Sequence, residues 1–430
     1  MIGLWGLASL APGCGSDDAD PNAGGQQPPA RGAPFDQSGE TGVGAPLDSY
    51  VGSAECGRCH ADQFEKWSGS HHDLAMQIAS DATVLGNFDA AEFSQHGAHF
   101  LFSRRDGRFL VRTEDANGDP AEFEIAYTFG VEPLQQYLVR LARGRLQVLS
   151  VAWDTRPSAQ GGQRWFHLYP DERQRPGDPF HWTGGYQTWN HMCAECHSTN
   201  LEKHFDSATD SYATKWAEID VACEACHGPG SLHVAGAAAG SDAPAGLPVG
   251  FAAGDSRYQV DVCAPCHSRR HRVSAEDRTG QPLLDHFVPV TLRAGLYHSD
   301  GQILEEVYVY GSFVQSAMYA HGVACSDCHD PHSLELRIAG NGLCTQCHAE
   351  TGNPSFPSLT KKAYDTAEHH FHPAGSAGAQ CVNCHMPART YMQIDPRRDH
   401  SFRVPRPDVS MKLGTPNACT GCHTDRTAAW

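Results

Sequence analysis

Positive charge is what this chain has least of: 32 Lys and Arg stand against 50 Asp and Glu, a formal net charge of -18 at neutral pH. Nucleic acid is thereby excluded as a partner, because phosphate binding needs a basic face. The resulting field favours cationic or metal-bearing partners, or redox partners with basic patches. Long apolar runs are missing too. Met1 to Ala11 is apolar but too short to span a bilayer, and no Lys or Arg precedes it. Aliphatic material is thin throughout: hydrophobic residues make up 40%, while 43 Gly and 27 Pro point to much turn and loop. Spare cysteine is almost absent. One repeated pattern consumes 8 × 2 = 16 of the 17 cysteines and leaves only Cys14, so disulfides are not needed to explain the count.

That pattern is C-x-x-C-H. In chain order the first motif is Cys56, Cys59, His60 and the second Cys193, Cys196, His197. The third is Cys223, Cys226, His227 and the fourth Cys263, Cys266, His267. Cys325, Cys328, His329 form the fifth, Cys344, Cys347, His348 the sixth, Cys381, Cys384, His385 the seventh, and Cys419, Cys422, His423 the eighth. Two thiols three positions apart can add to the two vinyl groups of one haem, and the next imidazole then falls beneath the iron as its proximal ligand. The spacing implies eight covalently bound haem c groups. Zinc is the competing reading, since paired C-x-x-C hooks can build tetrahedral sulfur sites, but zinc does not require a histidine after every second cysteine. Because haem is joined to such motifs after export, the chain is expected outside the cytoplasm, periplasmic or extracellular.

Five stretches follow in order. Residues 1–14 read as a signal or lipoprotein-like segment, in which Gly13-Cys14-Gly15-Ser16 resembles a bacterial lipoprotein cleavage site and Cys14 a lipid anchor; Ala11 and Pro12 fit that pattern poorly, and the alternative is a spare thiol in a removed signal. Residues 15–49, with hardly a large apolar residue, read as a disordered linker. Residues 50–84 form a first haem segment. Residues 85–180 read as an antiparallel β-insertion: His99–Phe102, Phe109–Val111, Phe123–Tyr127 and Leu146–Val151 are strand-like runs, with turn signals at Asp106-Gly107 and Asn117-Gly118. Residues 181–430 carry seven motifs whose first cysteines lie 19 to 62 residues apart, too close for separate domains. The expected fold is a multihaem cytochrome c, mostly loops and short α-helices wrapped around a haem array, with an inserted antiparallel β-domain. Flat haem rings would replace the missing aliphatic core.

Each iron needs a sixth ligand or an open face, and 26 - 8 = 18 histidines lie outside the motifs. His332 stands three residues past His329, and His233 follows a glycine-rich turn after His227. His298, His400 and one of His370 or His372 stand in similar turn-flanked positions. His72, of the pair His71-His72, follows the first motif on a helical spacing. His167 and His181 stand beside aromatics, as suits a haem pocket, and plain packed histidines are the alternative. His191, His204, His271, His286 and His321 are further candidates.

Several runs agree in order with one family. Gly161–Pro170, Cys193–Asn200, Cys223–Ser231, Glu306–Phe313 and Asp399–Asp408 resemble the octahaem c-type cytochromes that often continue into tetratricopeptide repeats. More distantly, the chain is similar to the tetrahaem cytochromes of nitrifiers and to the hydroxylamine oxidoreductase and nitrite reductase group. The resemblance spans roughly Tyr50 to Trp430 and implies an exported electron-transfer protein acting on redox proteins or extracellular acceptors. Conduction through bis-histidine haems is the expected role. A nitrite- or hydroxylamine-type reductase with one open haem, and the subunit of an extracellular filament or other homo-oligomer, are the alternatives. Related reductases often put lysine in place of a motif histidine, whereas all eight motifs here end in His.

Overall fold

Short helices and one large sheet share the chain. The computed structural model describes residues 48–240, 246–249, 251, 256–274 and 279–430. Cys14, the rest of the signal-like segment and nearly all of the expected linker lie outside the described residues.

The chain from Asp48 is fastened at once to a distant segment. The backbone N–H groups of Val51 and Gly52 donate to the carboxylate of Glu224 at 3.0 and 2.8 Å, and that of Ser53 donates to Glu218 at 3.0 Å. Glu224 is fully buried, and the amides of Val51 and Gly52 take the place of water at its carboxylate. Since Glu224 lies between the cysteines of the third motif, this contact seats the first motif beside the third.

Nine antiparallel strands follow: β1 Met76–Ile78, β2 Ala91–Gln95, β3 Ala98–Arg105, β4 Arg108–Glu114, β5 Pro120–Phe129, β6 Leu134–Arg140, β7 Leu146–Val148, β8 Val151–Asp154 and β9 Arg164–His167. Their order is β2-β3-β4-β5-β6-β8-β9, with β1 on β5 and β7 on β6. The β3–β4 hairpin turns at Asp106 and Gly107, both at positive φ of 52° and 73°, as a two-residue hairpin turn requires. β9 returns close to β2, where the Gln95 side chain donates to Pro170 O at 3.0 Å, so the sheet curls almost into a barrel. Its interior is aromatic. Phe102 lies flat on Trp165 with centroids 3.6 Å apart and planes 2° apart, and Phe88 meets Phe102, Phe109, Tyr137 and Trp165 edge-on. Burying such rings supplies the apolar area that the rest of the chain lacks.

Beyond β9 the regular elements shrink. Helices of four to eight residues alternate with two-stranded ribbons, and the longest described helix after the sheet is Ser256–His267. None of the described helices is long and apolar enough to cross a membrane.

Candidate haem-binding array

The motifs are small helical turns. In the first, fifth, sixth and eighth, the histidine N–H donates to the first cysteine's carbonyl at 2.9 Å. The third, fourth and seventh end the helices Cys223–His227, Ser256–His267 and Cys381–His385. One turn puts residues i and i+3 on the same face, so both sulfurs of a motif look the same way with the imidazole alongside. In the second motif the turn is tighter: Cys196 N–H bonds Cys193 O at 3.1 Å and His197 N–H bonds Ala194 O at 3.2 Å. All sixteen motif cysteines are free of disulfides. Among the described residues no three or more Cys, His, Asp or Glu side chains converge as a closed zinc centre needs.

Five motif histidines instead face a second imidazole. Ring centroids are 6.1 Å apart for His60 and His233, 6.3 Å for His267 and His72, and 6.4 Å for His227 and His332. They are 6.1 Å apart for His385 and His369, and 5.8 Å for His423 and His372. A metal–imidazole bond is about 2 Å and the ring centre lies roughly 1 Å further, so two rings trans on one metal have centroids about 6 Å apart. Direct ring stacking needs no such gap. His233 reaches its position through Gly228, whose φ of +77° and close approach to Pro248 leave no room for a Cβ; the turn leads into the helix Ser231–Ala238 and delivers the ring to the first motif.

Hydrogen bonds orient these rings for ligation through Nε2. A carbonyl only accepts, so a ring nitrogen bonded to one must carry the proton. His197 Nδ1 donates to Ala75 O at 3.2 Å, His227 Nδ1 to Val249 O at 3.4 Å, His385 Nδ1 to Arg403 O at 2.8 Å and His400 Nδ1 to Arg398 O at 3.0 Å. His372 Nδ1 donates to His370 O in the same way. This is the outer-shell contact that metal-bound imidazoles make. Burial pushes His72 down to about 4 and lowers His197, His227, His267, His332, His348, His369 and His400, favouring the neutral imidazole that a metal takes.

Other candidates sit differently. His167 Nδ1 accepts from the Tyr169 N–H at 3.0 Å, and His370 Nδ1 accepts from the His372 N–H at 3.2 Å, which puts the proton of each neutral ring on Nε2. His181, buried beside Trp182, has Nδ1 2.7 Å from Thr183 Oγ1 and Nε2 3.4 Å from Glu114. The contacts of His167 and His181 are those of packed histidines within and beside the sheet. His400 lies within electrostatic reach of His329 of the fifth motif. His298 buries Nε2 with no hydrogen-bond partner, and His348 of the sixth motif meets Tyr364 edge-on. His369, which faces His385, carries no turn signal that would single it out from its neighbours in the sequence.

Sulfur contacts between motifs give their neighbours in space. Cys56 lies beside Cys223, Cys196 beside Cys266, Cys263 beside Cys325, and Cys344 beside Cys381. Cys226 lies within electrostatic range of Cys263 and Cys266, Cys328 of Cys347, and Cys384 of Cys419 and Cys422. Through these contacts the motifs run first, third, fourth, fifth, sixth, seventh, eighth, with the second attached to the fourth.

Paired thiols on helical turns, neutral imidazoles held by backbone carbonyls and ring pairs spaced for a metal fit covalently bound haem c and define a c-type cytochrome. A family model described as cytochrome c554 and c-prime matches residues 55–95 and 180–228. The dissimilatory sulfite reductase MccA of Wolinella succinogenes is 22% identical over 385 residues, which cover 79% of this chain and 51% of that protein. The chain thus spans about half the length of the curated relative it matches. The crystal structure of the outer cell wall cytochrome OcwA superposes with a TM-score of 0.60 at 19% identity, covering 89% of this chain and 85% of that one. Together with the eight motifs, these similarities support a multihaem c-type cytochrome.

Proposed function

We propose that the chain binds eight haem c groups and conducts electrons along them, through haems that mostly have two histidine ligands. The observation that carries this reading is the set of five imidazole pairs with centroids 5.8 to 6.4 Å apart. In it His60, His197, His227, His267, His329, His348, His385 and His423 are proximal ligands; His233, His72, His332, His369 and His372 are distal to the first, fourth, third, seventh and eighth, and His400 to the fifth. Haem supplies the reversible one-electron couple. The chain supplies close spacing, exclusion of water and ligands that keep the potential below that of a His/Met pair. The similarity to an outer cell wall cytochrome supports an envelope or extracellular location, with redox proteins or extracellular acceptors as partners. Electron paramagnetic resonance of the oxidised protein tests the reading: low-spin ferric signals should account for most of the iron, and a predominantly high-spin spectrum would sink it.

A second reading, reduction of a small nitrogen or sulfur oxyanion at one open haem, is favoured by the second motif. Its His197, like His348 of the sixth, meets an aromatic ring edge-on instead of facing an imidazole, its motif alone lies off the line of the others, and MccA is a sulfite reductase. A single high-spin ferric component that sulfite or nitrite perturbs would move the assignment from carrier to enzyme.

A further inference from the structure

Glu195 lies between the two cysteines of the second motif, with 17% of its side chain exposed, and accepts from Arg270 Nη1 at 2.8 Å and Arg272 Nη1 at 2.6 Å. Arg270 follows the fourth motif's His267 by three residues and is more enclosed still, with 9% of its side chain exposed. Its Nε donates to Pro265 O, inside the fourth motif, at 2.7 Å. Its Nη2 lies 3.9 Å from the Cys196 sulfur, and its guanidinium sits 4.1 Å over the Phe287 ring. The ribbon that pairs Arg270–Arg272 with Phe287–Pro289 holds the side chain there. One enclosed cation therefore touches both motifs of the branch point, and one enclosed anion belongs to the second.

We propose that Arg270 and Glu195 are opposed potential-setting charges for the haems of the second and fourth motifs, the guanidinium raising their reduction potentials and the carboxylate lowering them. The inference rests on the reading that these motifs carry haem. Reduction adds negative charge, so a fixed cation at a thioether sulfur, in a site that water barely reaches, stabilises the reduced form, and a fixed anion destabilises it. Arginine suits the task because it does not give up its proton in a protein. The place matters as well as the sign. Among the described residues the sulfur contact of the second motif is with the fourth, so these two charges bear on how far an electron arriving on the line is drawn into the branch.

The test is a spectroelectrochemical redox titration of the full-length holoprotein, with haem per chain measured first in every sample. Arg270→Gln should move two of the titrating components to lower potential, and Glu195→Gln should move the same two to higher potential. Arg270→Lys, which keeps the charge and loses the fork, should stay close to the parent. Both glutamine variants shifting in the same direction would overturn the proposal, as would no component moving at unchanged haem content. Less than one haem per motif in the parent protein would sink the underlying haem assignment instead, and would be seen before any potential is read. A structural role alone predicts lost haem or a broadened titration, not shifts of opposite sign.

Discussion

His369 and His370 differ by one position and end in opposite chemical situations. The helix Ala367–His370 turns about 100° per residue, so one ring stacks across from His385 at 7° while the other takes a backbone N–H on Nδ1. We expect His369→Ala to convert one haem's worth of ferric signal from low to high spin without changing haem content, since the thioether bonds remain. His370→Ala should leave the spectrum as it was; electron paramagnetic resonance of the two variants distinguishes them, and equal spectra would contradict the pairing. The motif residues were legible in the sequence because covalent attachment imposes a fixed local spacing. The facing histidines were less so, since His72 meets His267 and His332 meets His227 only through the tertiary path of the chain, and adjacent histidines on a short helix look alike in one dimension.

At the scale of elements, strands were readable where a turn announced them and hidden where burial erased the pattern. The Asp106-Gly107 hairpin is a local signal. β6 has six of its seven residues buried, on both faces, so it shows no alternation. In β9 an aromatic and a histidine read as the surroundings of a haem, whereas Trp165 lies on Phe102 and His167 closes a strand. Phe102→Ala should remove that stack and cost about 3–5 kcal/mol, read as a lower midpoint in urea unfolding followed by far-ultraviolet circular dichroism; a change under 1 kcal/mol would mean that the interior repacks. Asp154 on β8 offers a test with acid. It is fully buried, and although burial alone raises its pKa, hydrogen bonds from Arg156 outweigh this and hold it below the ordinary 3.8. A depressed folded value means that the carboxylate stabilises the fold above that pH and ceases to as pH falls through the folded value. Asp154→Asn should therefore be less stable than the parent by about 1–3 kcal/mol at neutral pH. The gap should narrow below about pH 4 in melts followed by circular dichroism; a gap that does not change with pH would remove the charge from the account.

For the whole molecule, composition and architecture agree. A chain poor in aliphatic residues packs one cluster of large aromatics inside its sheet, and beyond the sheet it continues as short helices whose motif sulfurs meet one another. Its surplus negative charge predicts that electron transfer to a small cationic acceptor is fast at low salt and slows as ionic strength rises, because screening shortens the reach of the field. Stopped-flow oxidation by a cationic and an anionic complex should show opposite salt dependences, and parallel dependences would contradict it. The order of the motifs gives one continuous line with one branch, an arrangement that has meaning only if each hook carries a porphyrin. Pyridine haemochrome quantitation against total protein is the sharpest test: eight haem c per chain are expected, and far fewer, or stoichiometric zinc in their place, would contradict it.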